Sequence, residues 1–350
     1  MFGLQTGRSV PTLAALKRMT DATPRSDSVG PASCPHAGEP QTPLFDARDY
    51  ISGDGFALVL CRKCGIAYTQ PTPAPDKWSR YYPRDYYGKA GASRFRGPIE
   101  WVQNQFYTAR VGRIQQFNGG RPGRVLDVGC GRGFLLQEFR RRGWDVLGTE
   151  VDGTAAAHAQ RVLQLPVKIG ALETLKLPAD GFDVVVLWHV LEHLSDPGAT
   201  LVQVHRLLRP GGTLLVGVPN FGSAEARWCQ DKWFHLDVPR HLTHFTQNGL
   251  ARALEQAGLR VCGRGRFAPE YDAFSLVQSL LNCVGLRPNY LYNLLRGRDA
   301  KVFGKPHNEF AQLLVSLLLA VPLAAASLPV TLLAGALGQG SALTIYARKP

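Results

Sequence analysis

Asp127, Gly129, Gly131, Gly133 and Glu150 are the residues of this 350-residue chain whose types and spacing first suggest chemistry. They begin in Val125-Leu126-Asp127-Val128-Gly129-Cys130-Gly131-Arg132-Gly133, an apolar run that reads as a strand, followed by a G-x-G-x-G turn that opens a helix. Glycines let the backbone turn sharply and approach a ligand closely, and the helix N-terminus beyond supplies unpaired N–H groups. Glu150, at the tip of the next expected strand, can accept both ribose hydroxyls of a nucleoside. A dinucleotide would use much the same features, so charge decides between ligands. The spacing is not G-x-G-x-x-G, and Asp127 would repel a pyrophosphate while suiting a cationic sulfonium and ammonium. This reading makes S-adenosylmethionine the cofactor and leaves an NAD(P)-dependent oxidoreductase as the weaker alternative.

Histidines supply the next candidates. His189-Val190-Leu191-Glu192-His193 matches the H-x-x-E-H pattern of zinc peptidases, but it follows a buried strand instead of lying within a long helix. His241 and His244 fall in 233–246, a segment dense in aromatics and histidine. Methyl transfer to a hydroxyl needs alignment and the removal of a proton, which a histidine of near-neutral pKa can perform. His193 and His241 are therefore the candidate catalytic bases; the competing role is to pin the loop over the pocket.

Cys34, His36, Cys61 and Cys64 form the third group. Cys61-Arg-Lys-Cys64-Gly lets two thiolates point at one ion, and Cys34-Pro-His36 upstream completes a Cys₃His set for structural zinc. The alternative is a degenerate knuckle that keeps its fold without metal. The first 30 residues show no apolar signal stretch, so a reducing cytoplasm is expected, and paired cysteines are read as ligands before disulfides.

The elements that must position these residues alternate regularly. Strands are expected at 124–128, 145–150, 167–169, 182–188 and 213–218, with helices at 134–142, 154–163, 196–208 and 247–257. A strand at 260–267 and a last one at 342–347 continue the pattern. The fold class is α/β: a Rossmann-like, mostly parallel sheet with helices on both faces. A small N-terminal ribbon-like module and a helical apolar insertion before the last strand are added to it. The expected divisions are a disordered leader at 1–32, a zinc-ribbon-like module at 33–90, a linker helix at 91–120, the core at 121–270, the insertion at 271–340 and the last core strand at 341–350.

Within the insertion, 311–337 carries no charge and is long enough to cross a bilayer. Pro322 and Pro329 argue against one clean span, which leaves a hairpin dipping into one leaflet, a lid over the pocket, or a dimer face. The net charge of +13 raises anionic partners. No basic block is interleaved with aromatics, so nucleic acid is not expected. Arg296, Arg298, Lys301 and Lys305 flank the apolar part and suit anionic head groups, which points to peripheral contact with the inner face of a membrane.

Leu126–Phe134 written out as LDVGCGRGF, then FDVV at 182–185, Leu191-Glu192-His193, Leu208-Arg209-Pro210-Gly211-Gly212 and Val218-Pro219-Asn220 follow in one order. Over 124–220 this series resembles class I S-adenosylmethionine-dependent methyltransferases. Pro239-Arg240-His241-Leu242 with His244-Phe245-Thr246 resembles a subgroup that joins a quinone O-methyltransferase-like core to an N-terminal zinc-ribbon-like segment. The resemblance implies that Asp127, Gly129, Cys130, Gly131 and Gly133 cradle the donor and that Glu150 holds its ribose. Val151 would lie against the adenine, and Trp188 and His189 under the sulfonium. The expected reaction is methyl transfer to a hydroxyl, less often a carbon, of a small or lipid-linked acceptor. The rival from another class is a non-catalytic, membrane-associated binding protein of an envelope or polysaccharide assembly.

Overall fold

The computed structural model describes residues 34, 36, 38–82, 98–265, 269–296 and 309–350. The expected leader, and Arg298, Lys301 and Lys305, lie outside the described residues.

Three antiparallel strands open the fold: β1 (Thr42–Arg48), β2 (Gly55–Cys61) and β3 (Ile66–Gln70). Helix α1 (Pro98–Phe117) leads to β4 (Arg124–Val128), α2 (Phe134–Arg141), β5 (Asp145–Glu150), α3 (Gly153–Arg161) and β6 (Val167–Ile169). Then come β7 (Phe182–Trp188), α4 (Pro197–Leu207), β8 (Leu208–Pro219), α5 (Ala224–Cys229), β9 (Thr243–His244), α6 (Gln247–Gln256) and β10 (Arg260–Gly265). Helices α7 (Pro269–Cys283), α8 (Tyr290–Leu295) and α9 (Glu309–Ala336) precede the last strand, β11 (Ala342–Arg348).

The large sheet runs β10-β11-β8-β7-β4-β5-β6. Strands β8 to β6 are parallel, and β11 enters antiparallel between β8 and β10. Val184, Val185, Val186 and Leu187 of β7 are fully buried, as a strand covered on both faces requires. The order reverses between β4 and β7, so the carboxyl ends of those strands open a crevice, and ligands of open α/β sheets bind at such a point.

Two elements differ from the sequence expectation. Pro210-Gly211-Gly212 does not close α4 but lies inside the long strand β8, with a register shift against β7 between Phe182 and Val184. Helix α9 runs unbroken through Pro322 and Pro329, so no hairpin forms there. Both prolines are on its exposed side, where a lost N–H and a wider turn meet no opposing atoms, while the inner stripe stays packed.

The ribbon is part of a four-stranded sheet, β1-β2-β3-β9, completed by the distant Thr243–His244. Its Cys34, Val59, Cys61, Cys64, Ile66 and Tyr68 belong to the same hydrophobic cluster as Leu126, Val185 and Leu214 of the large sheet. The 33–66 region is thus packed into the catalytic body by a shared core.

Candidate active site

The loop after β4 is left-handed at three positions: Gly129 (φ 66°), Gly131 (φ 54°) and Gly133 (φ 84°). They serve different ends. A Cβ on Gly129 would come within 2.5 Å of Val190, and one on Gly133 within 2.7 Å of Leu165, so these two are glycine for packing. A Cβ on Gly131 would meet nothing within 4 Å; this glycine faces open space above the loop, the cradle that a donor requires.

Glu150 closes that cradle. Its Oε2 accepts from Gly131 N–H at 2.8 Å, and its Oε1 accepts from Val151 N–H at 2.7 Å and Asp152 N–H at 2.9 Å. The carboxylate is thereby fixed at the strand tip with one lone pair on Oε2 left for a hydroxyl donor. Val151 beside it is 67% exposed, a bare apolar surface where a flat ring would be covered. Asp127 is buried, and burial, reinforced by the nearby Glu150 charge and opposed by Arg110, pushes its carboxyl up to about 7. The Cys130 thiol turns into the sheet: a Cβ on Gly148 would sit 2.7 Å from its Sγ. Cys130 therefore offers the site its backbone.

Trp188 and His189 follow at the end of β7. The Trp188 indole donates to Tyr271 Oη at 3.0 Å, and the Arg110 guanidinium lies 3.5 Å over its ring. His189 has φ 53°, a left-handed conformation that a histidine adopts only when its surroundings enforce it. Its Nδ1 lies 3.1 Å from Glu192 Oε1, and its ring 4.3 Å from that of Tyr271. An ionised Glu192 makes Nδ1–H the donor and puts the acceptor lone pair on Nε2. Burial raises the Glu192 carboxyl, while His193 and His241 pull it back.

His193 and His241 lie directly behind this pair. Their Nδ1–H groups donate to Arg240 O at 2.9 Å and His235 O at 2.8 Å, since a carbonyl can only accept. Their rings are 4.6 Å apart, and polar atoms of Glu192, His193 and His241 lie within 4.8 Å of one another. Burial lowers both imidazoles to about 4, so both are neutral at pH 7. His244 instead ties the segment to the ribbon. Thr69 Oγ1 donates to His241 O at 2.7 Å and accepts from His244 Nε2 at 2.9 Å.

Arg240 anchors the whole arrangement. It is fully buried and pairs at 2.7 Å with both Asp49, from the ribbon, and Asp237, and it donates to Tyr81 O at 3.0 Å. Burial alone would raise the Asp237 carboxyl, but the Arg240 guanidinium holds it well below the usual range. Sequence reasoning did not find Arg110, His235 or Tyr271. His235 lies in the histidine-dense 233–246 segment, but Arg110 and Tyr271 arrive from helices with no motif.

The four residues of the expected zinc knuckle also converge. Cys34 Sγ lies 4.0 Å from Cys64 Sγ, Cys61 Sγ lies 3.6 Å from His36 Nδ1, and all four ligand atoms lie within 4.8 Å of one another. A tetrahedron with Zn–S bonds of about 2.3 Å has edges of about 3.8 Å, so the set fits one ion.

The sheet order, glycine cradle and fixed acidic residue define a nucleoside-binding α/β protein of the methyltransferase type. A family model described as a methyltransferase domain matches residues 101–264. Over 174 residues the chain is 33% identical to a ubiquinone biosynthesis O-methyltransferase of Dinoroseobacter shibae, covering 46% of this chain and 69% of that protein. It is 31% identical over 155 residues to the protein of that name from Rhodopseudomonas palustris, covering 39% of this chain and 61% of that one. The match thus spans less than two thirds of the Rhodopseudomonas protein. A SAM-dependent methyltransferase structure from Archaeoglobus fulgidus overlays with a TM-score of 0.43 at 22% identity, covering 73% of this chain and 96% of that one. The chain belongs to the class I S-adenosylmethionine-dependent methyltransferase family.

Proposed function

We propose that the protein transfers a methyl group from S-adenosylmethionine to a hydroxyl of a small or lipid-linked acceptor. The observation that carries this reading is the His189–Glu192 pair at 3.1 Å, set beside Trp188 and next to Val190, which packs on the Gly129 turn. Asp127, the 129–133 loop and Glu150 would hold the donor, with Val151 against its adenine. The donor, when bound, supplies an electrophilic methyl carbon. The remaining work falls to the chain: Trp188 and Tyr271 wall the crevice, and His189 Nε2 takes the acceptor hydroxyl proton. Glu192 holds the resulting imidazolium by charge, as the third group of a catalytic relay does. His193 and His241, neutral and buried, pack beside Glu192; as bases in their own right they would need the acceptor to reach past it. The O-methyltransferase names of the relatives favour a hydroxyl over a carbon.

We also infer that Cys34, His36, Cys61 and Cys64 hold a structural zinc that stiffens the ribbon beneath the histidine segment.

The function is tested by calorimetry with S-adenosylmethionine and by transfer of labelled methyl to catechol-type hydroxyls. Tight donor binding and labelled methyl ether are expected. Absence of donor binding, or unaltered binding in the Asp127→Ala, Glu150→Ala double variant, would overturn the reading. For the ribbon, elemental analysis should give about one zinc per chain, with the metal lost and the Tm lowered in Cys61→Ser.

A further inference from the structure

In the helical layer between β10 and β11, the last helix is built inside out. Helix α9 buries Ser316, Ser327, Thr331 and Gly335, and leaves Phe310, Leu314, Leu317, Leu318, Val321 and Leu333 exposed. Its partner α7 buries a mixed face, Asp272, Ser275, Gln278, Ser279 and Asn282 beside Val277 and Leu281. A helix facing water shows the opposite pattern, because an exposed leucine gives up the burial that drives folding. Two of the hydroxyls on α9 are satisfied within the helix: Ser327 donates to Ala324 O at 2.9 Å and Thr331 to Ser327 O at 2.8 Å. Such back-bonding lets them pack in an apolar setting without water.

Three further features identify what covers this face. At about 100° per residue, the exposed apolar side chains sweep about half the circumference, wider than the single stripe one partner helix would cover. Both ends of α9 are tied to the same catalytic body. Gln312 accepts from Arg287 N–H at 3.2 Å near one end, and Arg227 donates to Gln339 at 2.7 Å just past the other. Asn220 then donates to Gly340 O at 2.7 Å, and the chain re-enters the large sheet as β11. A helix so tethered cannot place its ends on opposite sides of a bilayer. The exposed Arg227 also puts positive charge just past the C-terminal end of the apolar face, as anionic head groups favour.

We propose that α9 lies in the plane of one leaflet of an anionic lipid bilayer, its Leu318–Val321 face among the acyl chains. Helix α7 lies between that helix and the crevice. Leu319 and Leu323 pack on the cluster that includes Phe274; Phe274 meets Phe234 at 5.6 Å, and Tyr271 on the first turn of α7 reaches His189. An acceptor dissolved in the bilayer would thus meet the crevice at the lipid surface. The docking itself does not depend on the donor chemistry.

Flotation of the full chain, transferred from mild detergent into vesicles, tests the proposal. The vesicles are phosphatidylcholine alone or phosphatidylcholine with phosphatidylglycerol. The wild type should float with the mixed vesicles and less with the neutral ones. Leu318→Glu with Val321→Glu should cut the bound fraction at least about tenfold, and Leu333→Glu, also at an exposed position, should do so more mildly. Calorimetry with S-adenosylmethionine on the same samples reports folding and donor binding separately, so failure to float can be told from failure of the proposed reaction. Wild type that folds but stays unbound to both vesicle types overturns the proposal. So does a lipid-free dimer, seen by light scattering, that the glutamate variants convert to monomer, because a second copy would then own the face.

Discussion

The proposed donor and acceptor halves of the crevice are built in contrasting ways. From Asp127 to Val151 the donor half is one continuous stretch of strand, loop, helix and strand, and its contacts to Glu150 come from backbone N–H groups within that stretch. The acceptor half draws His189 from the end of β7, His235 and His241 from the 233–241 loop, Tyr271 from α7 and Arg110 from α1. Its anchor, Arg240, reaches across to Asp49 and Tyr81 of the ribbon. The donor half presents groups that any chain of the right local sequence would present. The acceptor half depends on segments whose only link is the tertiary fold, so damage there should spread while damage to the donor half stays local.

The sharpest test is His189→Gln. Loss of the proposed base should lower kcat about 10²- to 10⁴-fold with donor affinity unchanged, measured by methyl transfer and calorimetry on one preparation. An equal loss of donor binding would break the division between the halves. Next in size, Arg240→Ala strands Asp49 and Asp237, of which Asp49 is fully buried. Urea unfolding should show a loss of about 3–5 kcal/mol. A stability near wild type would mean that the ribbon does not brace the acceptor half.

Asp127→Asn probes the donor half, and its two effects should have opposite signs. Removing a charged partner worth about 1.5–3 kcal/mol should weaken S-adenosylmethionine binding roughly 10- to 100-fold. The donor-free protein should become more stable at alkaline pH. A carboxyl raised from 3.8 to about 7 binds more protons folded than unfolded between those values. Its stabilising contribution is therefore lost as pH rises through that window, and the amide escapes this penalty. Thermal melts near pH 8 check it.

The smallest effect is the pH dependence of the wild type. A cationic donor favours ionised Asp127, so its affinity should fall about tenfold from about pH 8 to about pH 6. Asp127→Asn should flatten that slope. A slope that survives the substitution would assign the proton elsewhere in the crevice.

The sequence by itself determined the donor half, because strand period, turn glycines and a carboxylate at a strand tip are local properties of neighbouring residues. Strands β4, β5, β6 and β7 fall on the expected residues, and Gly131 meets Glu150 beside the loop. The convergence of Cys34, His36, Cys61 and Cys64 was legible for the same reason, since two short motifs carried it. Only the tertiary structure decided that Thr243–His244 joins the ribbon sheet, that His189 pairs with Glu192 in a left-handed turn, and that Arg110 and Tyr271 meet at Trp188. The first and last of these link residues tens of positions apart whose own motifs say nothing of each other, while His189 and Glu192, three apart in one motif, meet only because the chain turns left-handed at His189. The same holds for α9: its sequence shows that it is apolar, but which face is bare depends on what α7 covers.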